Sequence, residues 1–151
     1  MKKILLTSTI VLLVTTGFSQ LNNSWIDYSK TYYKFKLAKD TMCRIYQPLL
    51  AAAGLGSVPA QDFQLWRNGK EVRLYTSVAT GTLGPGDYLE FWGEMNDGKP
   101  DKSLYRNPND QLCEKYSLET DTVSYFLTVN PAGGNLRYLA SINNTAGNVL
   151  P

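Results

Sequence analysis

The sequence predicts an all-β domain, an antiparallel β-sandwich or jelly-roll-like fold with one short connecting helix. Short segments in which apolar and polar residues alternate recur at regular spacing, as in a sandwich. Asn68-Gly69 separates two such segments. This dipeptide is a strong hairpin signal because both central residues of a type I′ turn need positive φ. Aromatic residues make up 12% of the chain, including ten tyrosines, and aromatic side chains favour strands.

The first elements precede this hairpin. Residues 31–37 alternate apolar and polar side chains and predict a half-buried strand. A turn at 39–40 leads to a returning strand at 42–46. Residues 47–54 predict a short helix, because proline lies near its start, alanines fill its body and glycine ends it. Its length makes it a connector between strands.

The hairpin at 62–67 and 70–75 comes next, and a two-residue loop defines its pairing. The predicted cross-strand pairs are Arg67 with Lys70, Trp66 with Glu71, Leu65 with Val72, Gln64 with Arg73, and Phe63 with Leu74. Because successive side chains alternate between faces, one face is apolar, formed by Phe63, Leu65, Val72 and Leu74. Trp66 falls on the opposite, polar face.

The second half of the chain contains the remaining strands. The predicted elements are a strand at 88–92, a long surface loop at 93–111, a strand at 123–129, a turn at 130–135 and a last strand at 136–140. In the long loop, residues 96–101 place acidic and amide oxygens around a glycine. They lack the spacing and the terminal Glu of a calcium loop, so a polar turn is predicted.

The N-terminus has the pattern of a secretory signal peptide. A basic head precedes a mostly apolar run at 4–14, and small residues stand at the −3 and −1 positions of a cleavage site between Ser19 and Gln20. The apolar run is shorter than the roughly 20 residues of a membrane-spanning helix. We therefore expect an exported protein with no membrane span after cleavage, in the periplasm, on the outer-membrane surface or outside the cell.

The sequence predicts three regions: a signal peptide at 1–19, the β-sandwich domain at 20–140 and a linker-like segment at 141–151, which we expect to mark a truncation point. Cleavage removes two lysines from 15 basic residues and none from 13 acidic ones, which leaves 13 of each and a formal charge of zero. The composition thus argues against nucleic acid as a partner.

Few residues are available for catalysis. The chain contains no histidine, so it lacks the base of Ser-His-Asp or Cys-His sites and the commonest zinc ligand. No catalytic residue, metal or cofactor is predicted. Cys43 and Cys113 form either a disulfide, which an oxidising compartment permits, or two separate buried thiols.

Three aromatic residues point away from the aliphatic stripes: Trp66, Tyr88 and Trp92. On adjacent strands they would form one aromatic surface. Such a surface is either a stacking platform for a sugar or peptide or a face that protein covers, from the next domain or the helix at 47–53. Of these two alternatives, we expect that protein covers the aromatic surface.

Several stretches carry a resemblance to a known family. They are WIDYSKTYYKFKL at 25–37, DTMCRI at 40–45, LAAAG at 50–54, FQLWRNGKEV at 63–72, GDYLEFWG at 86–93, NDG at 96–98 and SYFLT at 124–128. In order and spacing the set resembles the N-terminal region of gingipain-like cysteine peptidases, closest to the sortase (PorU-type) proteins of the type IX secretion system. Cys43 stands where those proteins tend to have an aromatic residue.

The resemblance implies a non-catalytic β domain that precedes a caspase-like peptidase domain. It implies that this domain packs against or restrains the peptidase domain of the same polypeptide, with secretion-system proteins as further partners. Arg67 at the hairpin tip would be a candidate inserting side chain, or an ordinary exposed turn arginine. Thr41 and Thr122 resemble the O-glycosylation signal of bacteria with this system. The alternative function is a free-standing carbohydrate- or protein-binding module.

Overall fold

The structure, a computed structural model, describes residues 23–141. Its strands are β1 (Tyr33–Leu37), β2 (Thr41–Tyr46), β3 (Phe63–Arg67), β4 (Lys70–Val72), β5 (Tyr75–Thr76), β6 (Tyr88–Gly93) and β7 (Val123–Val129). They form a four-stranded sheet in the order β1-β7-β3-β4 and a three-stranded sheet in the order β2-β6-β5. Every strand pairing is antiparallel. The predicted all-β, sandwich-like fold is confirmed.

The helical elements are short. One α-helix, α1 (Gln47–Ala52), follows β2 at the predicted place, and 3-10 turns occur at Ala60–Asp62, Pro100–Leu104 and Pro108–Asp110. Within residues 23–141 no helix has the length and apolar character needed to cross a membrane. The predicted cleavage site between Ser19 and Gln20, and all but the first residue of the predicted linker, lie outside the described residues.

Aromatic rings from the two sheets pack against one another in the core. Phe91 of β6 has its ring centroid 5.4 Å from that of Tyr125 on β7 and 6.0 Å from that of Phe35 on β1. Phe91 and Tyr125 are completely buried. The Tyr125 hydroxyl donates to the carbonyl of Glu94 and accepts from its backbone N–H, at 3.0 and 2.8 Å. The buried phenol is therefore paired as burial requires.

The predicted hairpin is correct near its turn. Asn68 and Gly69 both have positive φ, 48° and 73°, as a type I′ turn requires. Three of the predicted pairs are present: Arg67 with Lys70, Trp66 with Glu71 and Leu65 with Val72.

The last two predicted pairs, Gln64 with Arg73 and Phe63 with Leu74, are wrong. The strand β4 ends at Val72, and the chain crosses to the other sheet, where β5 pairs with β6. Leu74 lies at this crossing and is completely buried. Leu74 keeps the inward direction that alternation predicts, but its backbone bonds to Leu136 and Tyr138 instead of continuing the ladder with β3.

The predicted last strand at 136–140 is also wrong. This segment makes an isolated parallel bridge between Leu74 and Arg137. The Arg137 Nη2 donates to the carbonyls of three residues: Ala60, Gln61 and Phe63, at 3.2, 2.8 and 2.7 Å. The segment is therefore attached by two backbone hydrogen bonds to Leu74 and by the Arg137 side chain, without a strand ladder. Burial lowers the pKa of Arg137, and Glu71 and Asp62 oppose that effect.

The predicted surface loop after β6 folds back on itself. Asp101 is 5% exposed and accepts from the Leu118 backbone N–H at 2.6 Å. Asp97 pairs with Lys99 at 3.0 Å. Across the described part of the chain, no group of three acidic, cysteine or histidine side chains has a metal-binding arrangement.

Candidate functional site

One outer surface of the sandwich carries a cluster of aromatic side chains. Leu89 and Phe91 of β6 point into the core, so the residues that alternate with them, Tyr88, Glu90 and Trp92, point outward. The cross-strand pairing places the alternate residues of β2 and one residue of β5 on the same side. This surface, which we call the aromatic face, consists of Met42, Arg44, Tyr46, Tyr75, Tyr88, Glu90 and Trp92.

The aromatic face is largely open to solvent. Four of its large apolar side chains are 44–56% exposed: Met42, Tyr46, Tyr75 and Trp92. Single exposed apolar residues are common, but a contiguous set of them marks an interaction surface. The exposure thus makes this face the strongest candidate for a functional site among the described residues.

A salt bridge lies at the centre of this face. The Arg44 guanidinium binds the Glu90 carboxylate through Nε at 2.8 Å and Nη2 at 2.5 Å. The Arg44 Cζ also lies 4.0 Å from the ring centroid of Tyr88, a cation–π distance. The hydrogen bonds from Arg44 to Tyr46 and Glu90 raise the pKa of the guanidinium. Because the two opposite charges pair, the face has aromatic character and little net charge.

The tyrosine rings of the face are tilted against one another. The Tyr46 and Tyr88 centroids are 5.9 Å apart with ring planes at 65°, and those of Tyr75 and Tyr88 are 6.2 Å apart at 41°. Beside Tyr75 the face is bordered by a groove of about 840 Å³, which Tyr138 and Leu139 also line. The surface is therefore uneven, with a recess at one side.

The predicted common surface of Trp66, Tyr88 and Trp92 is wrong. Trp66 belongs to β3 in the four-stranded sheet, whereas Tyr88 and Trp92 belong to β6 in the other sheet. Both strands point their aromatic residues outward, but the two sheets face each other through the core, so these residues lie on opposite outer surfaces. Tyr88 and Trp92 do share a face. The same face also contains Met42, Tyr46 and Tyr75. Identifying these three from the sequence would have required knowledge that β2 and β5 pair with β6.

Trp66 is covered by protein from its own chain. Trp25 stacks on it with centroids 5.4 Å apart and ring planes at 29°. Trp25 also lies 5.4 Å from the ring of Phe126 and 5.7 Å from that of Tyr32. The cover thus comes from the N-terminal segment, neither from another domain nor from α1, which instead buries Leu50 in the core. The expectation of covering protein was right for Trp66 and wrong about its source.

Replacing Trp25 with alanine should lower the free energy of unfolding by about 2 kcal/mol, because it uncovers the rings of Trp66 and Phe126. Urea unfolding followed by circular dichroism measures this change. Tyr28→Ala is the control, since Tyr28 lies in the same segment and is 84% exposed. Equal stability of the Trp25→Ala variant and the wild type would contradict the covering role.

Arg67 is not a free hairpin tip. Its side chain is 14% exposed and pairs with Glu94 through Nη1 at 2.8 Å. Its Nη2 donates to the Met95 carbonyl at 2.7 Å. These contacts hold the guanidinium against the loop that follows β6, because β3 ends beside that loop. The alternative of an ordinary exposed turn arginine is wrong, because Arg67 is largely buried and paired, and insertion of Arg67 into a partner stays a prediction that these contacts disfavour.

The cysteines and the candidate glycosylation sites occupy separate places. Cys43 is a half-buried free thiol on β2, and Cys113 is an exposed free thiol in the long loop. Of the two alternatives for these cysteines, the structure has separate thiols and no disulfide between them, and the expected burial is wrong for Cys113. Burial raises the pKa of the Cys43 thiol, which disfavours its nucleophilic thiolate form. Thr41 is exposed at the start of β2, whereas Thr122 is half-buried.

Comparisons with protein families, with curated proteins and with solved structures found no match to this chain. Evidence for function therefore comes from the molecule's own surface. The aromatic face is suited to contact with another surface, since it combines tyrosine, tryptophan, methionine and arginine, the residue types enriched in protein interfaces.

Proposed function

We propose that this β-sandwich is a non-catalytic docking domain that packs on another protein through the aromatic face. The observation that carries the proposal is the 44–56% exposure of Met42, Tyr46, Tyr75 and Trp92 on one surface. Covering these side chains would remove their apolar area from water. Tryptophan, tyrosine and arginine are also the residue types that contribute most to binding when an interface buries them.

The partner we propose is a gingipain-like cysteine peptidase domain of the same polypeptide, in an exported protein of the type IX secretion system. The family resemblance of residues 25–140 supports this choice, and the signal-peptide pattern at 1–19 supports export. The absence of histidine from the chain agrees with a division of roles in which the partner supplies the catalytic Cys and His. We propose broad packing against the peptidase, because Arg67 is held by Glu94 and Met95.

Photo-crosslinking in the exporting cells tests the partner. Benzoylphenylalanine replaces Trp92 on the aromatic face, and in a matched variant it replaces Lys34, which is exposed on β1 of the other sheet. We expect adducts from position 92 that contain sequence of a caspase-like peptidase domain, and few such adducts from position 34. Absence of these adducts at position 92, or equal yields from both positions, would refute the proposal.

Carbohydrate binding is the alternative use of the same aromatic residues. A sugar platform needs rings whose faces are presented together for stacking, and the tilts of 65° and 41° between neighbouring tyrosine rings disfavour it. We therefore expect no binding of the purified protein to a glycan array. Glycan binding that Trp92→Ala abolishes would replace the docking proposal with a carbohydrate-binding module.

A further inference from the structure

The sandwich has two lateral sides, where the edge strands of the two sheets lie, and the core is covered to different extents on these sides. On the side of β4 and β5, Leu74 is completely buried, and the segment attached by Arg137 lies beside it. On the side of β1 and β2, the residues that pack against the core are half-buried: Tyr33, Phe35, Leu37, Cys43 and Ile45. We call these five residues the open seam. The seam leaves part of the core in contact with solvent.

The strand β2 is the least protected edge next to this seam. Short strands and exposed lysines are the usual means of preventing edge-to-edge pairing. Among the edge strands, β4 has three residues, β5 has two, and β1 carries the exposed Lys34 and Lys36. In contrast, β2 has six residues, and the charge of Arg44 within it is paired with Glu90.

The backbone of β2 directs main-chain groups away from β6 at this edge, and one of them, the Met42 carbonyl, accepts from the Thr41 hydroxyl at 3.4 Å. The Gln47 N–H donates to the Asp87 carbonyl at 2.9 Å, which continues the ladder between β2 and β6. Because hydrogen-bonded and non-hydrogen-bonded pairs alternate in an antiparallel ladder, the main-chain groups of Met42, Arg44 and Tyr46 face away from β6. Within the described chain, β2 has β6 as its single strand partner. An extended backbone is the chemical complement of such an edge.

We propose that β2 pairs antiparallel with β2 of a second copy of this chain. The pairing joins the two three-stranded sheets into one and brings the open seams of the two copies together. A second copy fits because β2 is self-complementary about Cys43: the outward main-chain groups at positions 42 and 44 can bond to those at positions 44 and 42 of the other copy, as an isologous twofold contact requires. The formal net charge, which is +2 for the whole sequence and zero after the expected cleavage of residues 1–19, gives little repulsion between copies.

Charge excludes one register of this pairing, and the span of β2, Thr41–Tyr46 with Cys43 near its middle, favours another. Pairing Arg44 with the partner's Arg44 would place like charges directly opposite each other, which is destabilising. A shift that centres the twofold axis on Cys43 places Arg44 opposite the partner's Met42 instead. Met42 and Arg44 then exchange backbone hydrogen bonds with the partner, and Cys43 lies opposite the partner's Cys43 in a non-hydrogen-bonded pair. This contact uses the main-chain edge of β2, whereas the aromatic-face docking proposed above uses side chains on the outer surface of the sheet; Met42 and Arg44 belong to both.

Sedimentation velocity of the purified protein tests the pairing. Met42→Pro removes an outward N–H but none of the hydrogen bonds between β2 and β6, and proline is tolerated where an edge N–H faces solvent. Met42→Ala is the control because it keeps the N–H. We expect dimers of the wild type and of Met42→Ala at about 100 μM, and at least about tenfold weaker association of Met42→Pro. A monomeric wild type, or undiminished dimerisation of Met42→Pro, would overturn the proposal.

Thiol crosslinking is a second test of the pairing between the two copies of β2, and it does not require a proline substitution. In a Cys113→Ser background, a short bis-methanethiosulfonate reagent should join Cys43 to the partner's Cys43, because the Cα atoms of such a pair lie about 4.5 Å apart. A dimer that gives no Cys43 crosslink overturns the proposed pairing. Trp92→Ala should leave the dimer unchanged, so a failure of this proposal and a failure of aromatic-face docking are distinguishable.

Discussion

Replacing Phe91 with alanine is expected to lower the free energy of unfolding by about 4 kcal/mol. Phe91 is completely buried, and its ring lies against Phe35 and Tyr125 of the opposite sheet. Removal of the ring leaves a cavity between the sheets, and the loss of apolar burial adds to the cavity cost. Urea unfolding, followed by far-ultraviolet circular dichroism, measures the difference.

The next residue in the chain supplies the control. Trp92 is larger than Phe91 but points to the aromatic face and is 46% exposed. We expect Trp92→Ala to change the free energy of unfolding by less than about 1 kcal/mol. If the two variants lost similar stability, the assignment of inner and outer faces to β6 would be wrong.

Replacing Arg137 with alanine should cost about 3 kcal/mol, because hydrogen bonds that involve a charged group contribute more than neutral ones. The Arg137 side chain donates to the carbonyls of Ala60, Gln61 and Phe63. Its loss leaves these acceptors without that donor and detaches the segment that lies beside Leu74. Hydrogen exchange at the amides of Leu74 and Tyr138, which bond across this junction, should become faster.

Arg137→Lys is the matched variant for this prediction. It keeps the positive charge, but an ammonium group on a flexible chain lacks the planar fork of donors that a guanidinium presents. We expect it to recover less than about half of the lost stability. An Arg137→Ala variant within about 0.5 kcal/mol of the wild type would show that the segment is held by other contacts.

Local patterns in the sequence predict much of this fold. Alternation identifies the inward residues of β6, and the need for positive φ at Asn68 and Gly69 identifies the hairpin turn. These signals depend on neighbouring residues, so they can be interpreted without knowing the rest of the fold. The crossing of the chain at Leu74 is different, because it depends on burial between two sheets that are distant in sequence.

The candidate site could also be predicted only where it depends on local sequence patterns. Alternation correctly predicts that Trp66 and Trp92 point outward, but a sandwich has two outer surfaces, and only strand pairing assigns a residue to one of them. Trp25 lies in a polar segment without periodicity, so nothing local indicates that it covers Trp66. The attachment by Arg137 uses a side chain on backbone carbonyls, and no sequence pattern specifies such a contact.

Isothermal titration calorimetry tests the docking role of the aromatic face most directly. The titrant is the peptidase domain that we propose as partner, purified separately, and the proteins compared are the wild type, Trp92→Ala and Tyr28→Ala. Tyr28 is a suitable control because it is an exposed aromatic residue outside that face. The account predicts that Trp92→Ala weakens binding by about 2 kcal/mol, or roughly 30-fold, while Tyr28→Ala has little effect. Unchanged affinity of Trp92→Ala, or no binding by the wild type, would contradict it.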